Sequence, residues 1–299
     1  MSITVQPVTP DFAAEVGDVD LGLPLSPDDI AAIKAAFTRY AVLVFPDQAF
    51  SDESHLDFAR RFGPLETSVF ALRQDHKMRL HASMADVGNL DADNNILETN
   101  DRIRLYQLGN RLWHTDSSFK RLPAYCSILH GRSIPPVGGH TEFADLRAAY
   151  DALPVATRRR IAGLVAEHSL MTSRARLGFT DFDETERKAF EPVPQVLVRR
   201  LPDSGRMSLY LASHAGTIRG MADDEARRLL DDLAAHATQR QFVYTHRWRV
   251  NDLVMWDDRC TMHRGLAFDD QRYKRDMRRA TVSDVAPTCE QMGLAVAAE

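Results

Sequence analysis

The chain has 299 residues, 44% of them apolar and 26% charged, the balance of a globular protein with enough apolar material for a sizeable core. A formal charge of −5 offers no basic field to a nucleic acid backbone or an anionic membrane, so neither is an expected partner. Cys126, Cys260 and Cys289 form no Cys-x-x-Cys pair and no disulfide framework, and MSITVQPVTPDF carries no basic start or apolar leader, so a reducing, cytoplasmic setting is expected.

In chain order, Ser26 can cap a helix that starts at Pro27, with Asp28 and Asp29 in its first turn and Ile30, Ile33, Phe37 and Tyr40 on one face. Residues 41–45, Ala-Val-Leu-Val-Phe, read as a buried strand, and Ser51 opens a second helix that Gly63-Pro64 stops. Segments 125–129, 139–143, 195–199, 208–211, 242–248, 252–256 and 278–282 read as short strands, and Ala226, Leu229, Leu230 and Leu233 mark a late amphipathic helix. Many short strands, with helices at the start and in one insertion, predict a mainly β protein with helical decoration, an antiparallel sandwich. Periodicity does not choose a jelly roll over other sandwiches. No repeat or Pro/Gly/Ser-rich linker divides the chain. One domain over 1–299 is therefore expected, with a helical N-terminal region and a helix-containing insertion at about 145–240. A homo-oligomer is expected.

The informative stretch is Trp113-His-Thr-Asp116. On a strand, residues i and i+2 face the same way, so His114 and Asp116 would point inward together while Thr115 points out. An imidazole beside a carboxylate is two thirds of a 2-His-1-carboxylate site, which leaves positions on iron for a bidentate cosubstrate and oxygen. His263 is the best third ligand among eleven histidines. It follows a core strand at 253–256 and a polar turn, and would lie on the next strand. An isolated His-x-Asp triplet occurs by chance in many proteins. A downstream arginine cluster raises the odds here.

In that cluster, Arg275, Met277 and Arg279 would share one face of a strand. Two arginines in a sandwich interior are costly without anionic partners, on the order of several kcal/mol each. A keto acid that chelates the metal and gives its distal carboxylate to the Arg275 fork removes the problem for one of them. Thr141 could add a hydrogen bond, and Arg279 is left for an anionic substrate group. The competing reading places both arginines on a solvated edge strand, paired with Asp269, Asp270 or Asp276.

Several blocks in order resemble the taurine dioxygenase / 2,4-dichlorophenoxyacetate dioxygenase family of Fe(II)/2-oxoglutarate-dependent oxygenases, over nearly the whole chain. They are Phe62-Gly-Pro-Leu-Glu66, Trp113-His-Thr-Asp116, Gly138-Gly-His-Thr-Glu-Phe143, Ala148-Ala-Tyr-Asp-Ala-Leu-Pro154, Trp256-Asp-Asp-Arg-Cys-Thr-Met-His263 and Arg275-Asp-Met-Arg-Arg-Ala280. The resemblance implies a double-stranded β-helix (jelly-roll) core and Fe(II) on His114, Asp116 and His263. It also implies 2-oxoglutarate on Thr141 and Arg275 with Trp256 nearby, and a small organic anion on Arg279. His214 is a candidate helper for that anion. Within the family the chain looks closer to the phenoxyalkanoate-cleaving branch.

The activity so implied uses O2, releases succinate and CO2, and hydroxylates an aryloxyalkanoate whose hemiacetal product collapses to a phenol and an oxo acid. A taurine/alkylsulfonate dioxygenase would share every metal and cosubstrate residue. A non-oxidative metal enzyme on the same barrel would ignore 2-oxoglutarate, and a non-catalytic jelly roll would consume no oxygen. The interval from His263 to Arg275 is one residue longer than the family leads one to expect, so a register slip would put Arg272 or Arg278 in place of Arg275 or Arg279.

Overall fold

The computed structural model describes residues 3–72 and 78–295, a mixed α/β chain. The N-terminal part runs β1 (Thr4–Pro7), β2 (Ala13–Gly17), α1 (Pro27–Tyr40), β3 (Val42–Phe45) and α2 (Asp52–Arg60). Ser26 and Asp29 form a capping box at α1, satisfying two of the helix's orphan N–H groups. The α1 face that holds Ile33, Phe37 and Tyr40 is buried, with Ile30 at its rim. Ser51 caps α2 as expected. The middle of the chain adds β4 (Met84–Asp86), α3 (Arg102–Gln107), β5 (Ala124–Ser133) and β6 (Thr141–Asp145).

A long excursion then leaves β6. It contains α4 (Leu146–Asp151), α5 (Val155–Ile161), β7 (Val165–His168), α6 (Leu170–Ala175), α7 (Glu184–Ala189), β8 (Val193–Val196), β9 (Val198–Arg200), β10 (Met207–Leu209), β11 (Ala215–Ile218) and α8 (Asp223–Ala237). The chain returns as β12 (Val243–His246), directly antiparallel to β6, followed by β13 (Leu253–Asp257), β14 (Thr261–Gly265), β15 (Asp276–Ser283) and α9 (Thr288–Gln291). The strand expected at 195–199 is broken at Leu197, whose N–H goes to Leu164 O while its carbonyl takes Tyr210 N–H. Helices are not confined to the start and the excursion: α3 and α9 lie outside both.

Two sheets form the frame. The larger has the order β1-β2-β3-β13-β5-β15-β4, and a smaller one the order β12-β6-β14. β13 and β14 are consecutive strands on different sheets, so the turn between them carries the chain across the gap. Phe143 of β6 meets Trp256 of β13 at 5.3 Å between ring centroids, inside a cluster with Leu129, Val254 and Met277. That contact fixes the spacing of the two sheets where the candidate ligands emerge. The excursion has its own core, in which Ala226, Leu229, Leu230 and Leu233 of α8 pack with Leu146 and Leu153. Among the described residues no helix is long and apolar enough to cross a membrane.

One buried ion pair ties the N-terminal part to the start of the excursion. Arg147, 1% exposed, makes a two-pronged contact with Asp145 at 2.9 and 3.0 Å and donates to the carbonyls of Arg39 and Asp11 at 3.0 Å each. Every arm of the fork is therefore used, and removal of the side chain strands a buried carboxylate. Arg147→Ala is expected to lower unfolding free energy by about 3–5 kcal/mol. Urea midpoints of the two proteins check this, and a shift typical of a surface substitution would contradict it.

Candidate metal centre

His263 sits in β14, whose entry is shaped by the turn after β13. There Asp257 accepts from Arg259, and Thr261 Oγ1 donates back to Asp257 O at 2.9 Å. His114 does not lie on a strand, contrary to expectation. It makes a single two-way backbone bridge with His263, His114 N to His263 O at 3.0 Å and His263 N to His114 O at 2.8 Å. Asp116 opens a turn, and Ser117 adopts a left-handed φ of +51° that bends the chain away. Thr115 does point away from its two neighbours, yet not to solvent. It is fully buried, with its hydroxyl between Leu211 O (2.9 Å) and Thr261 O (2.8 Å), because the excursion covers that side.

The ligand atoms that His114, Asp116 and His263 offer all lie within 4.8 Å of one another. His114 Nδ1 lies 2.7 Å from Leu112 O; a carbonyl only accepts, so Nδ1 carries the proton and Nε2 keeps its lone pair. That Nε2 is 3.7 Å from Asp116 Oδ1, and His263 Nε2 is 3.7 Å from Asp116 Oδ2. Burial lowers both imidazoles, His263 well below its ordinary range with His114 adding to the effect, so both are neutral donors. Burial alone would raise the Asp116 carboxyl; Arg279, His263 and His114 outweigh it and hold Asp116 at about 2.

Asp116 Oδ2 accepts from Ser127 Oγ at 2.8 Å and Oδ1 from Arg279 Nη1 at 2.5 Å, which still leaves each oxygen a lone pair. Its backbone N–H goes to Asp258 Oδ1 (3.2 Å), an oxygen that also accepts from Trp256 Nε1 (3.0 Å). Burial and then the Asp116 charge push the Asp258 carboxyl well above its usual range. Two neutral imidazoles and one carboxylate form a donor set suited to Fe(II). His263 Nδ1 is buried with no hydrogen-bond partner among the described residues.

Two cavities meet at this cluster, both lined by His114 and Arg279. The first also holds Thr141, Trp256, His263, Phe268 and Arg275. Trp256 lies 4.7 Å from the His263 ring, and Trp248 Nε1 donates to Thr141 Oγ1 at 2.9 Å, so the Thr141 proton is free for another acceptor. Gly138 and Gly139 have φ of +77° and +67°, and a Cβ on Gly138 would stand 2.5 Å from Ala267 O. Only glycine lets this loop run so close to that backbone.

Arg275 precedes β15 and is buried; its Nη1 donates to Val87 O (2.6 Å), Nη2 lies 3.5 Å from Gly139 O, and Nε has no partner among the described residues. Burial alone pulls it down to about 10. The edge-strand reading fails, since β15 lies between β5 and β4 and neither arginine meets Asp269, Asp270 or Asp276. Arg278 pairs outward with Asp276 and Asp52, Arg272 is exposed, and Arg275 and Arg279 face the cavities. Arg279 gives Nη1 to Asp116, while its Nε is buried with no hydrogen-bond partner among the described residues.

The second cavity holds His214, Tyr106, Phe119, Leu170 and Arg174. His214 is buried, its Nδ1 2.9 Å from Ser173 Oγ and its ring centroid 6.0 Å from that of His114. Sequence reasoning missed Ser127, Trp248, Asp258 and Arg174. Asp258 lies within the 256–263 motif and was the most readable of the four; the others carry no local pattern.

The chain belongs to the family described as "Taurine catabolism dioxygenase TauD, TfdA family", which matches residues 4–281. Among its relatives, the alpha-ketoglutarate-dependent 2,4-dichlorophenoxyacetate dioxygenase of Cupriavidus pinatubonensis is 43% identical, with 96% of this chain and 99% of that protein covered. The (S)-phenoxypropionate/alpha-ketoglutarate-dioxygenase of Sphingobium herbicidovorans is 37% identical, covering 86% and 88%. The crystal structure of AAD-2 in complex with Mn(II) and N-oxalylglycine superposes with a TM-score of 0.88 at 47% identity, covering 96% of this chain and 99% of that one.

The Arg279–Asp116 pair has a pH signature in the metal-free protein. A carboxyl held at about 2 when folded contributes stability above its unfolded value, a contribution lost as pH falls toward 2. In Arg279→Met the buried Asp116 charge loses its strongest partner. The stability deficit of this variant should therefore be about 3–5 kcal/mol near pH 7 and clearly smaller at pH 3. Urea unfolding at both pH values tests it; a deficit independent of pH would refute the pairing.

Proposed function

We propose that the protein is an Fe(II)- and 2-oxoglutarate-dependent dioxygenase that acts on small aryloxyalkanoates. One oxygen atom of O2 goes to the substrate carbon that bears the aryloxy group and the other to succinate, with loss of CO2. The resulting hemiacetal breaks to a phenol and an oxo acid. The observation that carries the reading is Arg275, a buried guanidinium with no carboxylate partner among the described residues, on a cavity that also contains both candidate imidazoles. A cation in that position calls for an anionic ligand, and a keto dicarboxylate supplies one to the arginine and chelating oxygens to the metal.

In this reading His114, Asp116 and His263 hold Fe(II), which when bound supplies the oxidising chemistry. The Leu112 carbonyl fixes the His114 tautomer, and Ser127 and Arg279 orient Asp116. Arg275 and Thr141 take the distal carboxylate of 2-oxoglutarate, the first as a fork and the second with its spare proton, while Trp256 walls the cavity. The relatives named for 2,4-dichlorophenoxyacetate and phenoxypropionate favour an aryloxyalkanoate over an alkylsulfonate. N-Oxalylglycine, bound in the similar AAD-2 structure, has the keto-dicarboxylate shape assigned here to the first cavity. The seven-stranded and β12-β6-β14 sheets are read as the two walls of a double-stranded β-helix, with residues 1–299 as one domain and the stretch at about 145–240 as its insertion.

Anaerobic addition of Fe(II) and 2-oxoglutarate should produce the visible charge-transfer band of the chelate. Asp116→Ala should abolish it, and Arg275→Ala should require about 10–100-fold more 2-oxoglutarate to reach it. Succinate release should respond to aryloxyacetates and not to alkylsulfonates. No band in the wild type sinks the cofactor assignment, unchanged affinity in Arg275→Ala sinks the residue assignment, and a sulfonate-only response sinks the substrate class.

A further inference from the structure

Five arginines are buried among the described residues: Arg147, Arg174, Arg199, Arg259 and Arg275. Three of them meet carboxylates, Arg147 at Asp145, Arg199 at Asp284, and Arg259 at Asp257 and Asp203. Arg275 faces the cavity assigned to 2-oxoglutarate. Arg174, 4% exposed on the short helix α6, is the remaining one, and among the described residues no carboxylate lies within ion-pair distance of it. It lines the second cavity, which shares His114 with the first.

The guanidinium is held in place by neutral groups alone. It stacks 4.5 Å over the Tyr106 ring, and Nη1 donates to Ser173 Oγ at 3.1 Å, while Nε is buried without a partner among the described residues. Gly109 makes this position possible, for a Cβ there would collide with the guanidinium. The same Ser173 hydroxyl lies 2.9 Å from His214 Nδ1, so one serine sets both side chains on the cavity wall. Burial and then Arg174 drive His214 well below its ordinary range, which makes it a neutral imidazole with no charge to offer. Of the other cations at this cavity, Arg279 is bonded to Asp116 through Nη1 and Lys120 to Glu66, so each already faces a carboxylate. A buried guanidinium with unused donors on a ligand-sized cavity calls for an anion.

We propose that Arg174 binds the anionic group of the substrate: its cavity takes a carboxylate on the guanidinium and an aromatic ring against Phe119 and Leu170. This rests on the aryloxyalkanoate reading above and adds to it a specificity residue outside every motif block. The guanidinium fork suits the two oxygens of a carboxylate, and Tyr106 beneath it restricts the approach to the plane of the fork.

The test uses the protein loaded with Mn(II) and N-oxalylglycine, which fills the first cavity and permits no turnover. Phenoxyacetate and its neutral counterpart 2-phenoxyethanol are titrated calorimetrically into the wild type, Arg174→Met, Arg174→Lys and Gly109→Ala. Arg174→Met is expected to bind phenoxyacetate about 10–100-fold more weakly with little change for 2-phenoxyethanol, Arg174→Lys to fall between, and Gly109→Ala to resemble the Met variant. Equal loss for both ligands in Arg174→Met and Arg174→Lys means a structural role and overturns the proposal. Unchanged phenoxyacetate affinity in Arg174→Met, or no phenoxyacetate binding to the wild type, overturns it as well. Wild-type binding that Arg174→Met weakens, without succinate release from the Fe(II) enzyme, would instead sink the catalytic reading and leave Arg174 as the anion reader.

Discussion

The backbone bridge between His114 and His263 sets the spacing on which the site depends. Two reciprocal hydrogen bonds, 2.8 and 3.0 Å long, place the α-carbons of distant segments opposite one another at the edge of the β12-β6-β14 sheet. Opposed residues on antiparallel segments project side chains to the same face, so the two imidazoles come together with centroids 4.2 Å apart. Asp116 is then delivered from the turn that follows, and the larger sheet meets it there with Ser127 of β5 and Arg279 of β15. The site is therefore a joint between two sheets, and its precision is inherited from their packing at Phe143 and Trp256.

A second constraint comes from charge. The interior accepts a guanidinium only with an anion beside it, and three of the five buried arginines obey that rule among the described residues. Arg275 and Arg174 do not, and they line different cavities that share His114. Asp116 lines the second cavity, but its charge is taken up by Arg279 and is unavailable to them. The folded protein thus carries two buried positive sites whose desolvation is offset only when ligands arrive. The expected consequence is ligand-dependent stability, since whatever binds the folded state alone stabilises it.

What the sequence disclosed follows from how local each signal is. His263 was legible because an apolar strand, a polar turn and a second strand follow one another directly, so the order of the patterns is enough to place it. Arg275 and Arg279 were legible because two cations at strand spacing demand an explanation. The conformation at Asp116 was not, because the left-handed φ of Ser117 that ends the extended segment is dictated by tertiary contacts rather than by a glycine or asparagine. Thr115 was misjudged for the same reason. Alternation correctly turned it away from its neighbours, but only the excursion between β6 and β12 decides that its far side is protein and not water. Likewise the 2.5 Å contact of Arg279 with Asp116 Oδ1 joins segments far apart in the chain and carries no local signal.

Arg174 shows where sequence reading stops. It lies on a six-residue helix with no periodicity to announce a face, and its chemistry depends on Gly109, Tyr106 and Ser173 together. In sequence the residue looks like any surface arginine, as Arg176 two positions later does. Burial changes its meaning, because a guanidinium in water needs no partner and one in a closed cavity does. The excursion that carries it also closes over Thr115, so the stretch that buries the back of the candidate metal centre also supplies the second cavity's unpaired guanidinium. The candidate metal and cosubstrate residues sit on or beside the two sheets, where strand pairing fixes them, whereas the assigned anion reader sits on the excursion. Substrate preference can on this arrangement change with the excursion while the sheets, and the chemistry they position, stay as they are.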